Sequence, residues 1–256
     1  MIYLLVLFFI IGSAVGSFLN VVIDRSTKRE SFTFKRSYCD WCHRTLGAFD
    51  LVPIASFVAL GARCRYCHRK LSWQYPAVET LCGLLFVGTF YSLAIGGVLT
   101  PATLIVYLSL IAIFIIVSVI DFKFSLIPTT LVFFAAFVVL FYNYFTMTSF
   151  EFVVSVLTAF LLALFFILLI VATRGRGMGT GDVPLVFLIG LILSWPLAAV
   201  SMFVSFFTGA AVSLLLLAFG KKRIGQTIPF GPFLAMGAIT TMFWGQAILK
   251  WYLRLL

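Results

Sequence analysis

The chain has 256 residues, of which 63% are hydrophobic and only 10% charged, with a mean hydropathy of +1.17. That composition excludes an ordinary water-soluble domain and places the chain in a bilayer. Its formal net charge of +10 is accounted for by membrane topology and anionic lipid, so no nucleic-acid partner is called for.

A helix needs about 20 apolar residues to cross the hydrocarbon core. Other spanning structures are excluded, because unpaired backbone groups are too costly in lipid and no alternating barrel pattern appears. The expected fold class is an all-α polytopic membrane protein with about eight transmembrane helices, at roughly 2–22, 75–96, 100–120, 127–146, 150–172, 183–195, 197–218 and 230–250. The expected organisation is a first transmembrane helix over 1–23, a small insert over 24–74 and a seven-helix membrane core over 75–256, without a clear internal repeat or a low-complexity linker. Met1 to Ile23 carry no charge, so the basic region of a cleaved signal peptide is missing and the stretch reads as a retained span.

The insert comes next along the chain. It holds four of the five cysteines, as Cys39-Asp-Trp-Cys42 and Cys64-Arg-Tyr-Cys67, with 21 residues between the pairs. Two C-x-x-C pairs at this distance match a structural zinc site, each knuckle offering two thiolates to one tetrahedral ion. Nearby Lys and Arg favour the thiolate form. Two disulfides are the plainer alternative, disfavoured in a reducing cytoplasm. His43 and His68 extend each pair to C-x-x-C-H, a haem c attachment pattern, but that attachment happens outside the cytoplasm. The histidines read as basic surface residues of the knuckles, with substitution for a thiolate left open.

The second span carries Glu79, one turn after Tyr75-Pro76, and Cys82, for which a small apolar core role is expected. Glu79 is read either as a third polar group of an active site or as a partner for a loop arginine. The third span runs through Ile-Phe-Ile-Ile-Val-Ser-Val-Ile to Asp121, and the short sixth starts at Asp182 after Gly177-Met-Gly179-Thr-Gly181. Trp195-Pro196 marks a tight turn into the seventh.

Orientation follows from the loop cations. One side carries 16 Lys and Arg: ten in the insert, then Lys123, Arg174, Arg176, Lys221, Lys222 and Arg223; the other carries only Lys250 and Arg254. The insert is therefore expected in the cytoplasm and both termini outside. On that count the third span runs inward to Asp121 and the sixth runs outward from Asp182, so both carboxylates reach the cytoplasmic face.

Ionisable groups at membrane depth are expensive and suggest function. Of eight acidic residues, Asp24, Glu30, Asp40, Asp50 and Glu151 fall in solvated places, leaving Glu79, Asp121 and Asp182. Two carboxylates at one depth can share a proton, activate water and protonate a leaving amide. Glycines before Asp182 suit a sharp bend and the close approach of a peptide backbone. The bland alternative has each aspartate capping a helix or pairing with Lys123 or Arg174. Both histidines lie in the insert and no H-E-x-x-H motif is present, so serine-histidine and zinc-protease chemistry in the membrane are excluded.

Six pieces in register resemble the type IV prepilin peptidase family: Gly16-Ser-Phe-Leu-Asn20-Val-Val-Ile, the paired knuckles with Arg63-Cys-Arg-Tyr-Cys67, Tyr75-Pro-Ala-Val-Glu79, Asp121 with Ile127-Pro128, Gly179-Thr-Gly-Asp182, and Ile228-Pro-Phe-Gly-Pro-Phe233. The resemblance implies an intramembrane aspartic peptidase of the bacterial inner (cytoplasmic) membrane. It implies cleavage of the leader of type IV prepilins or pseudopilins after glycine, then N-methylation of the new N-terminus from S-adenosylmethionine. On it Asp121 and Asp182 are the catalytic pair, and Cys39, Cys42, Cys64 and Cys67 hold the insert through zinc. Asp40, Thr129 and Val183-Pro184 depart from the usual pattern. Competing readings are a non-methylating G-x-G-D peptidase, an ion-coupled transporter, which places carboxylates near the midplane, and a zinc-knuckled scaffold for a pilus or secretion machine.

Overall fold

The computed structural model describes residues 1–28, 37–175, 178–220 and 228–254. Arg29, Glu30, Lys35, Arg36, Arg176, Gly177, Lys221, Lys222 and Arg223, invoked above, lie outside the described residues. Among those described, seven helices are long and apolar enough to cross a membrane, and no named strand occurs. They are α1 (Ile2–Lys28), α3 (Gln74–Ile95), α4 (Pro101–Phe124), α5 (Thr129–Thr146), α6 (Ser149–Ala172), α7 (Asp182–Ala218) and α8 (Gly231–Leu253). The short α2 (Ala55–Ala59) lies in the insert, after a 3-10 turn at Ala48–Leu51. The chain divides into two compact units, Met1–Ile116 and Val117–Leu256, with the boundary inside α4.

In the first unit α1 and α3 run antiparallel in near-backbone contact. Added Cβ atoms at Gly12 and Gly16 would meet Gly83 Cα at 2.8 Å and Glu79 Cα at 2.7 Å. Small residues four apart permit this approach, which is how helices gain packing energy where lipid is as apolar as the side chains. Cys82 is buried in this seam, as its expected core role requires.

The second unit explains why eight predicted spans appear as seven helices. The run of α7 is broken at Ser194 (φ 53°, ψ 175°) and Trp195 (ψ 139°), next to Pro196, and the chain reverses there. Gly209 lies against Phe230 and Phe233, whereas Gly245 lies against Leu197. The return arm therefore runs antiparallel to α8, back toward the end from which Asp182 started. The two arms of α7 correspond to the predicted sixth and seventh spans. The first arm, Asp182 to Leu193, is about 18 Å long at 1.5 Å per residue, short of the hydrocarbon thickness, as its sequence suggested.

The break leaves the Leu191 carbonyl without a helical partner, and two side chains supply one. Asn143 Nδ2 donates to it at 2.8 Å and Ser155 Oγ at 2.9 Å. Both side chains are fully shielded, so the polar pair is satisfied where water cannot serve. Asn143→Ala is expected to lower stability by about 1 kcal/mol, read as an earlier midpoint in detergent unfolding, with little change in the first unit. The first arm is held on α6 by Gly190, where a Cβ would come 2.5 Å from Ala159 Cα.

Candidate active site

Three helix ends meet at one end of the second unit. α4 brings Asp121 in its last turn, α7 begins at Asp182, and α8 begins at Gly231. Both aspartates are almost wholly buried, at 5% and 4% exposure, and they are close enough for the charge of Asp121 to act at Asp182. A sequence separation of 61 residues is closed because α5 and α6 form an out-and-back pair between them.

Each carboxylate is held by a backbone amide. The Gly231 N–H donates to Asp121 Oδ2 at 2.8 Å, and the Gly179 N–H donates to Asp182 Oδ2 at 3.1 Å. Among the described residues neither carboxylate is hydrogen-bonded to a lysine or arginine. Both therefore sit at helix N-termini, Asp121 at that of α8 and Asp182 at that of its own helix, where partial positive charge offsets the loss of hydration. Among the described residues the second oxygen of each, Oδ1, accepts no such bond.

The glycines act through the space they leave. Neither Gly179 nor Gly181 has a positive φ, so a left-handed bend is not what requires them. A Cβ on Gly181 would lie 3.0 Å from Ile127 Cβ, and one on Gly231 would lie 2.7 Å from Asp121 Oδ2. Gly181 thus lets the turn before Asp182 close onto the segment following Asp121, and Gly231 lets α8 deliver an N–H to the carboxylate. Gly231 was present in the Ile228–Phe233 stretch without a role; a glycine at the start of an apolar helix was its sole signal.

The aspartates end or begin their own helices but are not at the outermost level of the unit. Gly209 lies level with Phe230, beside Gly231, and the return arm continues to Ala218, about 13 Å farther at 1.5 Å per residue.

Glu79 has partners within its own unit. It is buried in the first unit and accepts the Ile54 N–H at 2.7 Å, with Ser17 as a further partner. It thereby clasps the insert to α3. Ile54 is a β-branched residue at φ 61°, a strained conformation that such a clasp maintains. Around it, Asn20 donates to the Tyr75 carbonyl and accepts from Gln74, and Tyr75 donates to Asp24.

The insert holds the four cysteines as free thiols whose sulfurs all lie within 4.8 Å of one another. Cys39 and Cys67 Sγ are 3.8 Å apart, and a tetrahedral ion with bonds of about 2.3 Å places its sulfurs about 3.8 Å apart. The knuckles repeat one geometry: the N–H of His43 donates to the Cys39 carbonyl and that of His68 to the Cys64 carbonyl. Both histidines are exposed and take a left-handed φ, 53° and 55°. They close the turns, a position histidine tolerates better than most residues, and this accounts for the C-x-x-C-H pattern. The knuckles also exchange stacking partners, Arg69 over Trp41 and Arg44 over Tyr66.

The thiol cluster is electrostatically uneven. Burial works to raise Cys64, but the N–H groups of Cys67 and Tyr66 outweigh it and hold the thiol at about 7. Cys67, although favoured by the Arg69 N–H, is pushed up to about 11 by desolvation and the neighbouring thiols. Four sulfurs this close cannot all ionise unless a cation joins them. Asp50 braces the fold beside them: burial raises its carboxyl, yet the Gly47 N–H, Arg65 at 2.6 Å and Tyr66 hold it below the usual range.

These features define a class: a polytopic membrane protein with a buried aspartate pair from two helix ends, met by the start of a third, and a four-cysteine centre in its insert. The profile described as the type IV leader peptidase family matches residues 108–214, which include both aspartates, and that of the bacterial peptidase A24 N-terminal domain matches residues 10–93, which include all four cysteines. Similar curated proteins are the prepilin leader peptidase/N-methyltransferases of Bacillus subtilis (strain 168), 32% identical and covering 98% of this chain and 99% of that protein, and of Pseudomonas putida, 30% identical and covering 99% and 95%. The chain belongs to the type IV leader peptidase family. No solved structure matches it.

Proposed function

We propose that this protein cleaves the leader of type IV prepilins or pseudopilins and N-methylates the new N-terminus, with Asp121 and Asp182 as the catalytic pair. The observation that carries the peptidase assignment is the meeting of two buried carboxylates from opposite sides of a helical hairpin, each held by one backbone amide. One carboxylate, ionised, takes a proton from the attacking water. The other, protonated, polarises the scissile carbonyl, and a proton passes to the leaving amine as the tetrahedral intermediate collapses. Burial excludes bulk water, and the two amides fix the carboxyls so that little reorganisation accompanies charge movement.

Methyl transfer uses S-adenosylmethionine as a second substrate, and its support is the name carried by the relatives. The loop cations support an inner-membrane orientation with the insert and the aspartates on the cytoplasmic side, where prepilin leaders are exposed.

The reading is tested by incubating detergent-purified protein with a prepilin and S-adenosylmethionine and weighing the product. Loss of the leader and addition of one methyl group are expected. An intact prepilin would overturn the peptidase reading, and a cleaved but unmethylated product the second activity.

Cys39, Cys42, Cys64 and Cys67 suit zinc, which would tie the two knuckles together and take no part in peptide cleavage. Cys64→Ser with Cys67→Ser is expected to abolish bound zinc by elemental analysis, whereas His43→Gly with His68→Gly is expected to retain it, because glycine accepts the same left-handed φ. Zinc lost with the histidines would make them ligands.

A further inference from the structure

Between the knuckles runs Leu51-Val-Pro-Ile-Ala-Ser-Phe-Val-Ala-Leu-Gly-Ala62, twelve residues without a charge inside an insert otherwise rich in Lys and Arg. An insert surrounded by water has no reason to keep such a stretch. Its exposed side is apolar: Phe49 is 82% exposed and Val58 71%, with Leu51 and Val52 also exposed. A second copy, a substrate or lipid would each cover it.

The level of the segment decides among them. Ile54 is tied through its N–H to Glu79, a residue in the second turn of the spanning helix α3, about 7.5 Å along its axis from Gln74 at 1.5 Å per residue. Phe57 packs edge-on against Trp73, ring centroids 5.1 Å apart, and Trp73 is the N-cap of α3 with 75% of its surface exposed. The segment is thus fastened beside the first turns of a span on which Leu81 and Leu84 are exposed farther along. Tryptophan at a span end is also the residue expected at the headgroup level. In sequence the segment is flanked by cations, Arg44 before it and Arg63, Arg65, Arg69 and Lys70 after it; Arg65 is paired with Asp50, and the net positive charge of the flanks favours an anionic surface.

We propose that residues 51–58, with Phe49 beside them and the Asp50 side chain turned away into its ion pair with Arg65, are an interfacial anchor that enters the headgroup–acyl boundary of the leaflet in which α3 begins, with Phe49, Val52 and Val58 against lipid. The cysteine centre then hangs from the membrane at two points, the spanning helices and this segment. Short apolar faces flanked by basic residues bind bilayer interfaces in this way. Glu79 holds the anchor at depth, which gives the strained Ile54 conformation a purpose.

The test uses the full chain in nanodiscs containing anionic lipid. A keto amino acid replaces Val58, or in a second sample Phe49, and carries a nitroxide, leaving the native thiols untouched; both positions are exposed, so no core contact is lost. Power saturation with oxygen and with a water-soluble nickel chelate reads the depth. Reference labels stand at Leu84 on the lipid face of α3 and at His43 on a knuckle. Labels at 58 and 49 are expected to resemble Leu84, with oxygen collisions exceeding nickel collisions several-fold. Labels resembling His43 would place the segment in water and overturn the proposal. So would labels shielded from both reagents, including any that broaden when labelled copies are concentrated, since a protein surface would then cover the face.

Discussion

Asp121→Ala and Asp182→Ala, each made alone, are expected to lower leader cleavage by roughly three orders of magnitude or more, because groups that act as one unit fail together when either is removed. The conservative variants Asp121→Asn and Asp182→Asn are the sharper experiment. Each keeps an oxygen able to accept the Gly231 or Gly179 N–H but cannot ionise or shuttle a proton, so equal loss of activity is expected. Stability separates this from a capping role. Removing a buried carboxylate relieves its desolvation, so the Asn variants should unfold at or above the wild-type midpoint. Aspartates serving only as helix caps would leave both cleavage and stability near wild type in the Asn variants, because Asn caps as well as Asp, and would lose stability only as Ala. Cleavage at the wild-type rate by either variant would remove the pair from the mechanism.

Gly231→Ala is expected to lower cleavage by about 100-fold, although residue 231 contributes no side chain. The added Cβ would fall 2.7 Å from Asp121 Oδ2 and 3.2 Å from its Cγ, so the carboxylate or the start of α8 must move. Displacing a catalytic group by about 1 Å commonly costs that much. The glycines of the G-x-G-D motif give an internal scale. At Gly181 a Cβ would press Ile127 at 3.0 Å, whereas at Gly179 it would sit 3.7 Å from Asp182 Oδ2, an ordinary contact. The expected order of damage is Gly231, then Gly181, then Gly179, measured as kcat on a prepilin. Methyl transfer to a substrate already cleaved should survive Gly231→Ala, which separates a misplaced carboxylate from a misfolded chain. An order led by Gly179 would mean that the motif works through backbone freedom.

The class of protein and its candidate residues were legible in the sequence because a bilayer imposes simple rules. Spans must be long and apolar, cations favour one side, and a carboxylate at membrane depth has few reasons to exist. Hence the helical fold, Asp121 and Asp182 as a pair, and the four cysteines could be read directly. Even the short sixth span followed from counting residues, and the reversal at Ser194–Trp195 from Pro196. The C-x-x-C spacing likewise carries its own geometry, since a knuckle is a local turn. What the tertiary structure decided are contacts between segments far apart in the chain. Nothing local marks Gly231 as the donor to Asp121, 110 residues away, or Glu79 as the clasp on Ile54, 25 residues away. The same holds for Asn143, which answers a carbonyl freed by a helix break 48 residues on. Composition and periodicity report what each segment must bury; which partner satisfies a given buried polar atom depends on how the segments cross, and that is settled only when the helices pack.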